Sequence, residues 1–429
     1  MKPIPHRISS SSRRGQTSTI FFIALGMTFL LLACGGGGGG VDTKTGSGGT
    51  GDPTPPADAL TASGPLSTIG VAGIAATGLD DRASAIFINT QGGQSFNALK
   101  LGMVAEVTGT IPATSTSTTP GIATNINVQS AVVGQVTISD PSNQRFSVGV
   151  FTVPGLLSVQ VDQNTIFEGV STFANLTAGT RVEVYGIPQA ESKSILATRV
   201  ILLPNATDPG QVELLGTATS VSAFQFSAQG VQVLTTGVTS VITPAGTVPG
   251  TTSIVENTRV RVLGGLTALV SRAGSFLGYE MNASQIVAGI PIVRNDNTII
   301  VLDGIVQSIN ATGRFRLNDT DVDTTAANAA TVTVGSRVQV KGRKTAGVLT
   351  ATDFRRIAAG ERIQYTVQGD IANFVSNANF TIRGESINAS TATFIGGTAA
   401  NLVNGRTVRI KAQAIGGHLE AIEVSFVVS

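Results

Sequence analysis

The amino-acid sequence predicts an all-β protein: a tandem array of about five small five-stranded barrels behind an export signal and a flexible tether. Three observations predict this class. A skeleton of glycine, alternating apolar residues and alanine recurs five times, and recurrence of this kind is typical of modular arrays. Short period-two apolar runs, divided by Gly, Asn, Asp, Ser and Pro, indicate antiparallel strands. No segment of useful length places apolar residues at helical spacing.

The recurring skeleton is clearest over residues 176–200. Val182 and Val184 point to one face of a strand and can enter the core together. Gly186 follows and permits a tight bend into a hairpin. Ala197 comes next, and its small side chain is expected where a neighbouring strand passes close by. The other copies have, in the same order, Val107, Gly109 and Ala123; Val262, Gly264 and Ala283; Val340, Gly342 and Ala351; and Ile410, Ala412 and Ala421.

Each copy also opens with a glycine that precedes a second-strand phenylalanine by 10 to 14 residues. Five strands in about 60 to 85 residues suit a small, partly open Greek-key barrel of the OB architecture. Any helix is expected to be a single turn before the fourth strand, such as residues 170–177. The opening pairs are Gly73 and Phe87, Gly134 and Phe146, Gly216 and Phe226, Gly304 and Phe315, and Gly369 and Phe380. The predicted copies span 67–129, 130–205, 210–289, 290–360 and 361–429.

Residues 1–33 have the pattern of a secretory signal peptide. A basic segment precedes an apolar run from Ile20 to Ala33. Fourteen helical residues reach roughly 21 Å, short of the about 30 Å hydrocarbon core, so a permanent transmembrane helix is the poorer interpretation. Two other interpretations stay open: an ordinary signal peptide with an incidental cysteine, and a twin-arginine signal at Arg13-Arg14.

The signal ends in Leu31-Leu32-Ala33-Cys34, which resembles the bacterial lipobox. The resemblance implies that Cys34, the only cysteine in the chain, is acylated and becomes the first residue after cleavage. Two or three acyl chains hold a protein on a membrane where one chain would not. Gly35, in place of the aspartate that retains such lipoproteins in the inner membrane, favours the outer membrane. Residues 34–66, rich in Gly, Pro and Thr, are expected to form a flexible tether.

Charge and histidine content argue against most kinds of chemistry. Without the leader the chain has 28 − 4 = 24 basic and 26 acidic residues. The mature chain keeps only His418, which we interpret as a solvated turn residue, so histidine-based catalysis and zinc clusters are not expected. No catalytic, cofactor or metal site is predicted. Three acidic residues imitate a calcium loop, but Thr324 and Ala330 stand where that loop needs a glycine and a carboxylate, so we interpret them as hairpin acids; they are Asp319, Asp321 and Asp323, and we interpret Asp80 and Asp81 in the same way.

Nucleic-acid binding, which an OB-like fold suggests, would need a basic groove with aromatic platforms. The mature chain is slightly acidic and has no tryptophan. One basic cluster lies in the fourth copy, and we interpret it as a solvated face; it comprises Lys341, Arg343, Lys344, Arg355 and Arg356. Nucleic acid is therefore not the expected partner.

The first two copies resemble the bacterial domain-of-unknown-function family numbered 5666 in the stretches LKLGMVAEVTG and LTAGTRVEVYG with ILATRVI. That family occurs as tandem copies in exported lipoproteins and resembles the OB fold. The similarity covers most of residues 67–427. Asn257 replaces the turn glycine in the third copy, and Ala412 replaces the second glycine in the fifth. The motif is structural, so the resemblance implies no catalytic residue.

The sequence thus predicts a non-catalytic lipoprotein, anchored to the outer membrane and exposed to the periplasm or the cell surface. We expect its barrels to form an extended rod that binds or spaces envelope components, with an envelope protein or glycan as partner. The alternative is an OB-type array that binds oligosaccharide or nucleic acid.

Overall fold

Short strands joined by tight turns make up most of the folded chain. The computed structural model describes residues 58–70, 73–76, 88–90, 99–111, 121–128, 130–150, 153–170, 172–189, 194–204, 211–238, 240–243, 246–256, 258–270, 276–288, 296–318, 320–327 and 332–427. The predicted signal peptide, Cys34, Asp80, Asp81 and Asp319 lie outside these residues. Among the described residues, no helix is long and apolar enough to cross a membrane.

The strands fall into five groups, one for each copy. Copy 1 has β1 (Asp58–Gly70), β2 (Gly73–Ala76), β3 (Ile88–Thr90), β4 (Val104–Ile111) and β5 (Gly121–Val128). Copy 2 has β6 (Val132–Asp140), β7 (Arg145–Val150), β8 (Val153–Gln160), β9 (Ile166–Glu168), β10 (Arg181–Gln189) and β11 (Ser194–Leu202). Copy 3 has β12 (Gln211–Thr217), β13 (Gln225–Ala228), β14 (Val231–Leu234), β15 (Ser240–Thr243), β16 (Gly246–Pro249), β17 (Arg259–Val270) and β18 (Phe276–Ala288).

Copy 4 has β19 (Ile299–Ile309), β20 (Phe315–Leu317), β21 (Thr320–Asp323), β22 (Arg337–Thr345) and β23 (Val348–Arg356). Copy 5 has β24 (Tyr365–Ser376), β25 (Asn379–Ile382), β26 (Glu385–Asn388), β27 (Thr393–Ile395), β28 (Thr407–Ile415) and β29 (His418–Phe426). A single 3-10 turn at Phe173–Asn175 confirms the helix predicted before the fourth strand of copy 2, and others lie at Pro141–Asn143, Thr325–Ala327 and Ala399–Asn401.

Strand pairing confirms the OB-like architecture. In copy 2, β6 pairs with β7, β7 with β8, β8 with β11 in parallel, β11 with β10, and β10 returns to β6. The order 1-2-3-5-4-1 closes a five-stranded barrel, which removes exposed sheet edges. Copies 1, 4 and 5 close by the same pairings. In copy 3 the seam between the first and second strands carries an isolated bridge, Thr219 to Ser227.

The glycine and alanine of the recurring skeleton lie opposite each other at a β-bulge. Gly186 pairs with Ala197, and the register shifts beside this pair. A Cβ on Gly186 would lie 2.5 Å from the Leu196 carbonyl oxygen, so the position needs the missing side chain for space. The prediction of a tight bend at Gly186 is wrong, because β10 continues to Gln189. The same shift occurs at Gly109, Gly264, Gly342 and Ala412.

The residue after each skeleton alanine is the extra residue of the bulge. In four copies it is threonine or serine, and its hydroxyl donates to a carbonyl oxygen of the fourth strand. The donors and acceptors are Thr124 and Thr108 at 3.1 Å, Thr198 and Tyr185 at 3.2 Å, Ser284 and Leu263 at 3.1 Å, and Thr352 and Lys341 at 3.3 Å. Copy 5 has Ile422 at this position and Ala412 in place of the glycine.

The first copy begins earlier than predicted. Strand β1 runs from Asp58 to Gly70, so residues 58–66 belong to a barrel and not to the tether predicted over 34–66. Leu60, Ala62 and Leu66 are buried. The stretch resembles a linker because small residues are needed in a strand that other strands flank closely. It pairs with β4 of its own copy, with β19 of copy 4 and with β24 of copy 5.

Register identifies Gly64, and not Gly73, as the opening glycine of copy 1. Gly64 pairs with Ala105, as Gly134 pairs with Val182 in copy 2. Gly73 lies in β2, the predicted second-strand Phe87 lies outside the described residues, and Ile88 directly after it begins the third strand, β3. The second-strand phenylalanines of the other copies lie where they were predicted and are buried; they are Phe146, Phe226, Phe315 and Phe380.

The copies do not follow one another as separate beads. Strands of copies 1, 4 and 5 form one 16-stranded sheet, and strands of copies 2 and 3 form a 13-stranded sheet. Thr54–Ser429 forms one compact unit. The predicted extended rod is therefore wrong: copy 1 pairs directly with copies 4 and 5 because its first strand exposes both flanks of its backbone to them.

The buried cores follow these sheets. Copies 1 and 5 share one apolar cluster, copies 2 and 3 share another, and copy 4 has its own. A small cluster of Ile187, Leu196 and Ile305 joins copy 2 to copy 4. Tyr185 alternates with the core residues Val182 and Val184 and faces out of its own barrel, but it is buried in the cluster of copies 1 and 5. The outward face of copy 2 at Tyr185 is therefore part of an interface with copies 1 and 5.

Candidate functional site

A buried ionic group lies where copies 1, 2 and 5 meet, and its centre is Arg199 on β11. Arg199 pairs with Tyr185 in the strand register and is 1% exposed. The equivalent positions in copies 4 and 5 hold acidic residues, Asp353 opposite Lys341 and Glu423 opposite Lys411. Copy 2 thus has a cation where copies 4 and 5 have an anion and copies 1 and 3 have the neutral Asn125 and Gln285.

The Arg199 guanidinium joins the three copies. One terminal nitrogen donates to the Leu101 carbonyl of copy 1 at 2.8 Å and to both Glu385 oxygens of copy 5 at 3.1 and 3.0 Å. The other donates to Glu168 of its own copy at 2.6 Å. Glu385 in turn accepts from the Leu101 backbone N–H at 2.7 Å. Removing either partner of such a buried pair would leave an uncompensated charge.

Glu168, at the end of β9, accepts from two cations. Lys100 of copy 1 donates to one carboxylate oxygen and Arg199 to the other. Burial is the largest single influence and would raise the pKa of Glu168, but the hydrogen bonds from Lys100 and Arg199 together outweigh it, so the pKa lies below its ordinary value. The pKa of Arg199 is raised: burial opposes its charge, and Glu385 and Glu168 outweigh that effect. Glu168 and Arg199 are therefore both charged at neutral pH, and each contacts groups of opposite charge.

Backbone and side-chain contacts extend the junction on both sides. Thr198 donates to the Gly102 carbonyl at 2.6 Å, which joins copies 1 and 2. Asn164 of copy 2 donates to the Glu361 carbonyl at 2.9 Å and accepts from the Ile363 N–H at 2.8 Å. Tyr365 of copy 5 donates to the Asn164 carbonyl at 2.8 Å. These bonds satisfy polar groups that would otherwise be buried without partners.

A second buried ionic group lies within copy 4. Arg337 donates to both Asp303 oxygens, at 2.9 and 3.0 Å, and Gln339 donates to the same carboxylate at 3.0 Å. The fork of two parallel bonds is the strong geometry for an arginine and a carboxylate. Burial raises the pKa of the nearby Tyr365, which keeps that phenol protonated.

A cleft of about 250 Å³ opens beside the junction, between copies 2 and 5. Arg199 and Glu385 line its buried side, while Gly169, Gly384 and Ser386 are exposed at its rim. Apolar walls come from Ile166, Phe167, Val170 and Leu419. The Nε of Arg199 is buried and has no hydrogen-bond partner among the described residues.

His418 lines this cleft, so its interpretation as a solvated turn residue is wrong. It is half-buried at the start of β29. The preceding Gly417 has a φ of +92°, and a Cβ there would lie 2.3 Å from the Phe167 ring. Its carbonyl accepts from the Phe167 N–H at 2.8 Å. The last hairpin packs against copy 2 because a glycine at this point lets the ring approach.

The acidic hairpin residues pair with arginines of the same copy. Asp321 accepts from Arg316 at 3.4 Å, and Asp323 accepts from Arg314 at 3.0 Å. Thr325 also donates to Asp323 through its hydroxyl at 2.6 Å. Within the described part of the chain, no three His, Cys, Asp or Glu residues are grouped so that they could hold a metal ion.

The basic cluster of copy 4 is largely paired. Arg343 donates to Asp58 of copy 1 at 2.7 and 3.2 Å, and Arg355 pairs with Glu361. Lys341 is half-buried; burial is the main influence on its pKa and lowers it. Arg356 is exposed. The interpretation as a solvated face is therefore only partly right, because Arg343 and Arg355 serve interfaces.

Sequence reasoning missed Glu385 and Glu168. Glu385 occupies the register position that holds Leu157 in copy 2, Val231 in copy 3 and Thr320 in copy 4. A carboxylate at a core position is the signal that could have identified it, since buried acids are normally paired. Its partner could not have been identified, because Arg199 lies 186 residues away. The predicted lipidation site, Cys34, lies outside the described residues and stays a prediction.

Comparison with known protein families matches two segments of the chain, residues 133–201 and 282–353, to the model of one family, described as Domain of unknown function (DUF5666). The first segment covers β6 to β11, which is copy 2 almost entirely, and the second runs from β18 to β23, which includes the strands of copy 4. The resemblance stated from the sequence is confirmed for copies 2 and 4. No curated protein matches the chain.

Proposed function

We propose that this chain, which carries two segments of the DUF5666 family, is a non-catalytic lipoprotein of the outer membrane whose five barrels bind components of the cell envelope. The observation that carries the proposal is the lipobox-like Leu31-Leu32-Ala33-Cys34 followed by a run of glycines. An envelope protein or a glycan is the partner that this location would supply.

Binding is better supported than spacing. A spacer gains reach from extended, independent units, whereas residues 54–429 form one compact unit in which copy 1 pairs with copies 4 and 5. The predicted tether is also shorter than expected, since β1 begins at Asp58. An anchored head with several inter-copy surfaces fits capture of a partner near the membrane.

The buried charges support a structural use. Arg199, Glu385 and Glu168 satisfy one another at contact distance and hold copies 1, 2 and 5 together. Groups that are paired in this way are not poised to transfer protons or attack a substrate. This is the physical reason for proposing a binding protein and not an enzyme.

Metabolic labelling tests the anchor. Labelled palmitate should enter the wild-type protein and not Cys34→Ala, because that sulfur is the proposed acylation site. Gly35→Asp is the matched control: it should keep the label but move the protein from the outer-membrane to the inner-membrane fraction on a sucrose gradient. Equal labelling of wild type and Cys34→Ala would reject the lipid anchor.

Nucleic acid is not supported as an alternative partner, because two arginines of the basic cluster pair with Asp58 and Glu361. Oligosaccharide is favoured by a separate observation, the cleft between copies 2 and 5.

A further inference from the structure

We propose that the cleft between copies 2 and 5 binds one uncharged, hydroxyl-rich ring, that is, a monosaccharide unit of an envelope glycan. This inference rests on the proposed envelope-binding function and names its ligand class. The site belongs to neither barrel alone, since β9 and β11 of copy 2 supply one wall and β26 and β29 of copy 5 the other.

The first argument is an unused donor. Arg199 lines the cleft, is 1% exposed and has a buried Nε without an acceptor among the described residues. A buried donor on a charged group is costly to leave unsatisfied. A ligand oxygen in the cleft that Arg199 lines is the acceptor that the proposal assigns to this Nε, while the terminal nitrogens stay on Glu168, Glu385 and the Leu101 carbonyl.

The second argument is charge, which selects among ligands. Two carboxylates, Glu168 and Glu385, line the same cleft. Arg199 and Lys100 neutralise them, so neither an anion, such as a phosphate or a uronate, nor a cation gains a net attraction that would offset the loss of its hydration. What remains favourable is a neutral ligand that can both donate to the carboxylate oxygens and accept from the guanidinium. Hydroxyl groups do both.

The third argument is shape and lining. A volume of about 250 Å³ holds one small ring, since each water of the liquid takes about 30 Å³. Ile166, Phe167 and Leu419 offer apolar walls to the C–H face of such a ring, and the polar groups lie at the buried end. Gly169 and Gly384 leave the rim open.

Saturation-transfer NMR on the full-length protein, held in a detergent without a sugar headgroup, tests the proposal. The probes are D-glucose, D-galactose and N-acetyl-D-glucosamine, with D-glucuronate as the charged counterpart. At least one neutral sugar should bind with a Kd of about 1 mM or tighter, the affinity expected for so small a ligand. Glucuronate should bind at least about tenfold more weakly, because its charge would lose hydration in the cleft without gaining a net opposite charge.

Two variants locate the binding. Ser386→Trp fills the rim and should weaken binding at least about tenfold, whereas Gln232→Trp, at the register equivalent of Ser386 in copy 3, should leave it unchanged. Arg199→Lys keeps the charge but removes the Nε donor, and it should abolish binding in protein whose melting curve shows that it is folded.

Three results would overturn the inference: no neutral sugar binds, binding survives both Ser386→Trp and Arg199→Lys, or glucuronate binds more tightly than the neutral sugars. Palmitate labelling of Cys34 is independent of all three, so failure here is distinguishable from failure of the proposed anchor.

Discussion

At the scale of single residues, Arg199 and Glu168 show how charge is used in this chain. A guanidinium that is 1% exposed must be paired, and three copies contribute its partners. The burial cost of such a group can exceed its Coulombic gain, so the pairing specifies which surfaces meet more than it adds stability. Arg199 therefore helps to fix how copies 1, 2 and 5 are aligned with one another.

The lowered pKa of Glu168 predicts how stability depends on pH. Because the pKa in the folded protein lies below its ordinary value of 4.5, the ionised carboxylate stabilises the fold above that value, and the stabilisation is lost as pH falls through the lower folded pKa. Glu168→Gln should therefore unfold with a shallower pH dependence below about pH 5 than wild type. Denaturant unfolding between about pH 3 and pH 7 measures it, with the non-titrating Gln232→Ala as control. Parallel curves for wild type and Glu168→Gln would contradict the assignment.

At the scale of strands, the bulge explains the recurring skeleton. In four copies the glycine, the alanine and the following threonine or serine occur together where the fourth and fifth strands cross closely. Copy 5 keeps the bulge with Ala412 and Ile422 at the first and third of these positions. A bulge bends a strand and increases its local twist, which a small closed barrel needs.

Two adjacent glycines of β17 test this explanation. Gly264→Ala should destabilise the protein by about 1–3 kcal/mol, the cost of overpacking, because its Cβ would lie 2.3 Å from the Asn282 carbonyl oxygen. Gly265→Ala is the matched control, since a Cβ there meets nothing within 4 Å. Chemical denaturation compares the two. Equal effects would show that the bulge does not select glycine for space.

Much of the structure at the scale of strands was predictable from sequence. The alternation of Val182 and Val184, the second-strand phenylalanines and the OB-like order follow from local patterns, and the structure confirms them. Strand β1 was missed because its small residues suit the strands packed beside it. In the sheet it lies between β19 and β24, which are more than 200 residues away in the sequence. Without knowledge of those strands, the segment resembles a linker. The pairing of Glu385 with Arg199 was missed for the same reason, since 186 residues separate them.

At the scale of the whole molecule, order along the chain does not determine which copies touch. Copy 1 pairs with copies 4 and 5, and copy 2 contacts all four others through bonds or shared cores. Because a small domain without disulfides is marginal by itself, support between neighbouring copies is expected. The structure extends that support to distant copies, because a small barrel without disulfides gains stability by burying its outer face.

Hydrogen–deuterium exchange of the full-length protein, read by mass spectrometry, tests the central claim that the five barrels behave as one body. The probes are the amides of β1, of Leu101 and Gly102, and of Phe167, which bond across copies or beside such bonds. We predict that they are all protected and lose protection together in one opening, and that Arg199→Lys speeds all of them. Separate rates for each copy, unchanged in Arg199→Lys, would contradict the account.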